Sequence, residues 1–192
     1  MDTIFGLKGK DFVILGADRS AQFSIVRLKD DEDKITPIDN NKILAAAGEA
    51  SNRDDFSDLV QKNIHLYYFS NGVTLSTGAS ANFIRTLIAE DLRKSPSFTD
   101  LLLGGFDEEG ASLYYLDYLG VVSKVDKAAH GYGGNFLYGL LDHWWNPEMS
   151  FEEAKEVMAK CAHALRTRFL VAQPHFVFKC VDSNGVHEIE LS

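Results

Sequence analysis

Apolar side chains fall first in two short β-type runs, residues 3–9 and 11–18, with Gly9-Lys10-Asp11 as a hairpin turn between them. Ser24-Ile25-Val26-Arg27-Leu28 predicts a third short strand. The acidic run Asp30-Asp31-Glu32-Asp33 behind it reads as a solvated turn. Residues 42–48 read as a strand of very small side chains, ending where another backbone can come close. The period then changes. Phe56, Leu59, Val60 and Ile64 recur on one helical face, after Ser51 and Asp54 at capping-box spacing, and Ser70-Asn71-Gly72 stops this helix. A second helix from about residue 77 to 94 carries Phe83, Ile84, Leu87, Ile88 and Leu92, and Pro96 ends it. Strands at 100–106 and 111–117 flank the hairpin loop Asp107-Glu108-Glu109-Gly110, and a third covers roughly 121–127. Gly131-Tyr132-Gly133-Gly134 leads into a helix through Phe136, Leu137, Leu140 and Leu141, which stops near Asn146-Pro147. Ser150-Phe151-Glu152-Glu153 is a full capping box, and Ala154, Val157, Met158, Cys161 and Leu165 make the buried stripe of the helix it starts. Two last strands, 176–181 and 186–191, join at Ser183-Asn184-Gly185.

Strands, two helices, strands, two helices, strands: contiguous blocks joined by hairpins imply antiparallel sheets with segregated helices, an α+β class, rather than βαβ alternation. The 192 residues suffice for a single domain spanning 1–192. A net charge of −9 argues against a nucleic-acid partner, which needs clustered Lys and Arg. No apolar run is long enough to cross a bilayer, and the N-terminus lacks the basic and apolar regions of a signal peptide, so no membrane association is expected. Cys161 and Cys180 stand alone in apolar contexts, which suits reduced thiols in the cytoplasm or nucleus.

Candidate chemistry is sparse. Gly131 to Gly134 before a helix invites comparison with a phosphate cradle, but it lacks the Lys-Ser/Thr tail and the full glycine spacing, so a tight connection is the better reading. None of the six histidines stands at metal-ligand spacing from another His, Cys or acid: Cys161 and His163 are two apart on one helix, and Asp142 and His143 are adjacent. No metal and no cofactor are expected. Cys161 lies within an apolar stripe and reads as a buried thiol. Tyr114, Tyr118, Trp144 and Trp145 are large aromatics near element ends, either core filling or contacts with another subunit.

The order of these segments resembles the beta-type subunits of the proteasome, members of the N-terminal-nucleophile hydrolase superfamily. The resemblance rests on Gly6, on Val13 to Asp18, on Lys34, on Ala47-Gly48-Glu49 and on Leu103-Gly104-Gly105-Phe106-Asp107. It extends through Leu113-Tyr114-Tyr115-Leu116-Asp117-Tyr118-Leu119-Gly120, Ala129-His130-Gly131-Tyr132-Gly133 and Leu140-Leu141-Asp142-His143. It implies a four-layer αββα sandwich, two antiparallel sheets face to face with a helix pair on each outer side. Catalytic members of the family attack with an N-terminal threonine helped by a lysine and an aspartate. The resemblance puts the aspartate on Asp18 and the lysine on Lys34, but the nucleophile position falls on Asp2, with Met1 kept and no propeptide. Thr3 is one residue out of register and is expected to project away from Lys34. The helper serine falls at Tyr132, and the late Asp and Ser fall near Phe169 and Ala172.

The frame Asp2, Asp18, Lys34 and Tyr132 is therefore read as vestigial, without catalytic residues. The alternative is a threonine hydrolase trimmed to Thr3. The resemblance implies a non-catalytic subunit at the fourth position of the beta ring of the 20S core particle, in cytoplasm and nucleus. Its partners would be alpha and beta subunits, in particular the third and fifth beta subunits and its own copy in the opposite ring. It would serve ubiquitin-dependent protein degradation by closing the chamber and buttressing the neighbouring chymotrypsin-like site, with a shared inhibitor pocket as a possibility. Residues 21–28 form part of that expected wall, so Phe23, Ile25, Val26 and Leu28 join the four aromatics as candidate interface residues.

Overall fold

The computed structural model describes residues 2–24 and 26–191, with Phe23 represented by its backbone alone. Two five-stranded sheets carry the molecule. The first has the order β10 (Lys127–His130), β1 (Ile4–Lys8), β2 (Phe12–Asp18), β11 (Phe176–Asp182), β12 (Gly185–Glu188). The second runs β5 (Ile35–Asp39), β6 (Lys42–Gly48), β7 (Thr99–Asp107), β8 (Gly110–Leu116), β9 (Val122–Val125). Every strand pairing is antiparallel.

Three apolar layers follow from the period-two alternation of side chains. Ile4, Val13, Leu15, Ala45 and Leu102 meet between the sheets. Phe5, Leu7 and Ile14, on the other face of the first sheet, pack under α3 (Gly134–Trp144) and α4 (Phe151–Arg168) with Leu141, Met158 and Leu165. Leu44, Ala46, Leu101 and Leu103 pack under α1 (Ala50–Asn71) and α2 (Thr77–Asp91) with Phe56, Val60, Ile84 and Ile88. Strands covered on both sides are apolar over most of their length, and every residue of β2 is buried, its terminal Asp18 included. The result is the α+β sandwich of four layers, helices, sheet, sheet, helices.

Several local expectations need correction. Ser24 does not open a strand. With φ of 56° it turns between β3 (Ala21–Phe23) and β4 (Val26–Lys29), a two-stranded ribbon outside both sheets. Residues 35–39 form a strand because Ile35 and Ile38 reach the core, despite Pro37. Ser51 lies inside α1, whose N-cap position is Glu49 without a side-chain bond. The single strand expected at 121–127 is two: the chain breaks at Asp126 and crosses from the second sheet to the first. The end of α1 at Gly72 (φ 68°) and the reciprocal Ser150–Glu153 cap of α4 lie where the sequence puts them.

Candidate functional site: a filled N-terminal frame

Strand ends of both sheets meet at one end of the sandwich, and four strands deliver three ionisable side chains and one backbone amide there. Asp2 precedes β1 and Asp18 ends β2; Lys34 precedes β5, and Gly48 ends β6. The junction is tight enough to dictate glycines. A Cβ on Gly48 would lie 2.5 Å from the Phe98 carbonyl oxygen. One on Gly131 (φ +82°) would lie 2.0 Å from the carbonyl oxygen of Asp2, so the 131–134 turn closes directly onto the start of β1.

Lys34 Nζ donates to Asp2 Oδ1 (2.8 Å), Asp18 Oδ2 (2.9 Å) and the Ser20 carbonyl oxygen (2.9 Å). An ammonium has three protons, so all of its donors are committed. The other oxygen of Asp2 accepts from the Gly48 amide (3.2 Å) and from Arg53 Nη1 (2.9 Å). Asp18 also takes the amides of Thr3 (2.7 Å) and Ser20 (3.1 Å). Arg53, in the first turn of α1 and 3% exposed, pairs through its second terminal nitrogen with Glu32. Lys29 approaches Glu32 from the surface at 3.9 Å. Three enclosed carboxylates and two buried cations thus share one network, with Asp54 (3.1 Å from Arg53 Nε) and Lys29 at its exposed margin, and burial this deep is tolerable only because each enclosed charge has several partners.

Burial by itself pushes the Asp2 carboxyl up, but Lys34, the Gly48 amide and Arg53 outweigh it and hold it below the ordinary carboxylate range. For Asp18 burial wins. Lys34 and the Thr3 amide pull its value down without cancelling the enclosure, and the nearby Asp2 charge adds to the rise. The two acids share one lysine yet move in opposite directions because Asp18 is the more deeply enclosed and feels the Asp2 charge, while Asp2 has the Gly48 amide and Arg53 in addition to Lys34.

Thr3 is fully buried on the other face of the strand. Its hydroxyl accepts from Gln173 Nε2 at 3.0 Å and lies against Gly133, while its nitrogen bonds Asp18. Tyr132 is 67% exposed, Phe169 follows the last turn of α4, and the Ala172 carbonyl oxygen accepts from Gln22 (3.3 Å). Two grooves, of about 740 and 810 Å³, open elsewhere, and neither is lined by Asp2 or Lys34.

Sequence reasoning missed Arg53 and Glu32. The 30–33 run is not a uniformly solvated turn: Glu32 is buried against Arg53, and Asp33 pairs with Lys179. A lone arginine three residues into a helix that starts at the glycine strand end was the available signal. A second correction concerns ligand spacing. The β11–β12 hairpin places Cys180 opposite His187, and their donor atoms lie with one of Asp182 within 4.8 Å of one another. Cys180 is enclosed by the apolar layer under α4, and burial pushes its thiol up to about 12, so this donor set is poorly suited to a cation that needs a thiolate. Cys161 is likewise buried and pushed up to about 12.

Of the candidate contact residues, Val26 and Leu28 stand 56% and 70% exposed on the ribbon. Tyr118 is exposed beside Phe98. Trp145 is committed inward, its Nε1 donating to the Lys8 carbonyl oxygen (2.8 Å), and Trp144 and Tyr114 are half-buried. Met1, Ile25 and the Phe23 side chain lie outside the described residues.

Such a lysine–aspartate frame, at the open end of an antiparallel αββα sandwich, defines the N-terminal-nucleophile type of architecture. The family described as "Proteasome subunit" matches residues 1–180, and the chain belongs to it, among the beta-type subunits. It is 47% identical over 189 residues to "Proteasome subunit beta type-2-B" of Arabidopsis thaliana, covering 98% of this chain and 95% of that one. It is 44% identical over 190 residues to "Proteasome subunit beta type-2" of Dictyostelium discoideum, covering 97% and 96%. "Proteasome subunit beta type-4" of Saccharomyces cerevisiae is 32% identical over 193 residues, covering 99% and 98%.

Proposed function

We propose that this chain is a non-catalytic beta subunit of the 20S core particle, at the fourth ring position, working by building the ring rather than by cleaving peptides. The observation that carries this is the Asp2 carboxylate. It accepts hydrogen bonds from the Lys34 ammonium, the Gly48 amide and the Arg53 guanidinium at the point where the family's hydrolases hold a hydroxyl. A carboxylate held ionised by those donors does not attack a peptide carbonyl as an alkoxide does. Lys34 has no donor left to favour one. Thr3 does not replace it, since its hydroxyl faces Gln173 and its nitrogen is an amide donating to Asp18.

In this reading the neighbours are the third and fifth beta subunits, the alpha ring and a second copy across the particle, in cytoplasm and nucleus. The ribbon of β3 and β4, with Val26 and Leu28 exposed, would back the neighbouring chymotrypsin-like subunit and could form one wall of an inhibitor pocket there. Ubiquitin-dependent degradation would be the process served.

The test uses purified particles treated with an electrophilic β-lactone that acylates N-terminal threonines. Intact-mass analysis should find the adduct on catalytic subunits and this chain unmodified, with Thr3 internal. An adduct on Thr3, or a chain beginning at Thr3, overturns the proposal.

A further inference from the structure

The groove of about 740 Å³ lies at the opposite end of α1 from Arg53. Its walls are the last turns of α1, the connection into α2, and the turns joining β5 to β6 and β7 to β8. Buried Ile64, half-buried Leu75 and exposed Tyr68 are among its apolar lining, with Phe69 79% exposed and its ring 5.6 Å from that of Tyr68. An aromatic ring left this far in water forgoes much of its burial free energy, and an apolar cleft with a polar rim is the usual form of a contact site.

The rim has one sign of charge. Asp39, Asp107, Glu108 and Glu109 line it, with no lysine or arginine among the lining residues. Asp39 is paired with Lys42, and Asp107 is used by the amides of Thr77 and Glu109. The carboxylates of Glu108 and Glu109 have no ion-pair or hydrogen-bond partner among the described residues, and both residues are exposed. A groove lined by these apolar side chains and by two carboxylates without a partner is complementary to one kind of occupant, a bulky apolar side chain flanked by a cation.

We infer that this groove receives a polypeptide segment of a neighbouring subunit, presenting one large apolar side chain next to Lys or Arg. The inference rests on the proposed place in the particle. The apolar anchor seats beside Phe69 and Tyr68, and the cation meets Glu108 and Glu109 from the rim. Because the rim is open to water, the charged part sets register and association more than final strength, and salt weakens it.

The test incorporates a photoreactive benzoylphenylalanine in place of Phe69 and isolates assembled particles before irradiation. The expected product is a cross-link to another subunit within a few residues of a Lys or Arg. In parallel, E108K/E109K should lower incorporation roughly tenfold against wild type, the scale on which removing one well-placed interfacial anchor acts. Glu90→Lys, on an exposed part of α2 outside the groove, should not. Particles that contain the probe yet give no inter-subunit cross-link, or a cross-link to a segment without a cation, overturn the inference alone. So does wild-type incorporation of the double variant. A wild-type chain that never co-migrates with the particle overturns the proposed function and this inference together.

Discussion

The carboxylate of Asp2 and the guanidinium of Arg53 each hold the other's environment together, so the single changes that matter most are those that orphan a buried charge. Arg53→Met leaves Asp2 with Lys34 and the Gly48 amide but strips Glu32 of its buried partner. The expected cost is about 3–5 kcal/mol, read as a fall in the thermal midpoint, and E32Q in the same chain should recover part of it. His130 gives the pH dependence. Burial lowers its imidazole below the ordinary value, and Asp100 at 3.6 Å and the Leu101 carbonyl at 3.1 Å oppose this without cancelling it. Because the folded value lies below the unfolded one, its contribution is complete above about pH 6.5 and is lost as pH falls below that. Thermal unfolding between pH 7.5 and 5.5 should slope toward lower stability in acid, and H130N should flatten the slope. An unchanged slope would assign it to other groups. Cys161 and Cys180, pushed up to about 12 by burial, should resist alkylation until the protein is unfolded, when both react.

Among the elements, those with a local stop or start signal were legible and those defined by distant partners were not. The Ser150–Glu153 cap is written in four residues, and Ser150→Ala should cost about 1 kcal/mol through loss of the amide partner at the start of α4. Urea unfolding with an unchanged slope checks it. The Asn71-Gly72 stop of α1 is equally local. The strand at residues 35–39 carries Pro37, and its two isoleucines are three apart rather than at strand period, so its place beside β6 is set by the core they enter and not by a local pattern. The split at Asp126 has no local mark either: residues 122–125 pair with β8 and residues 127–130 with β1, a choice made by the two sheets that compete for them. The ribbon at residues 21–29 turns at Ser24 and exposes four consecutive residues from Val26, so its periodicity carried little information.

For the molecule as a whole, the charge of −9 is unevenly spent. Part of it is buried around Lys34 and Arg53, and part lines the groove at the far end of α1. Raising salt should therefore loosen contacts made through Glu108 and Glu109 while leaving the enclosed network intact. Comparing particle dissociation with unfolding of the chain across a salt series would show whether the two separate. The sequence by itself determined the blocks of strand and helix, which follow from side-chain period, and its resemblance to the family brought Asp2, Asp18 and Lys34 into one frame, where Asp18 and Lys34 do pair. Only tertiary structure decided that Arg53 and the Gly48 amide converge on Asp2 with Glu32 behind Arg53, and that Glu108 and Glu109 line one groove with Phe69. Such groups are separated by many residues, and what brings them together is the packing of two sheets and the direction of one helix, which no local pattern encodes.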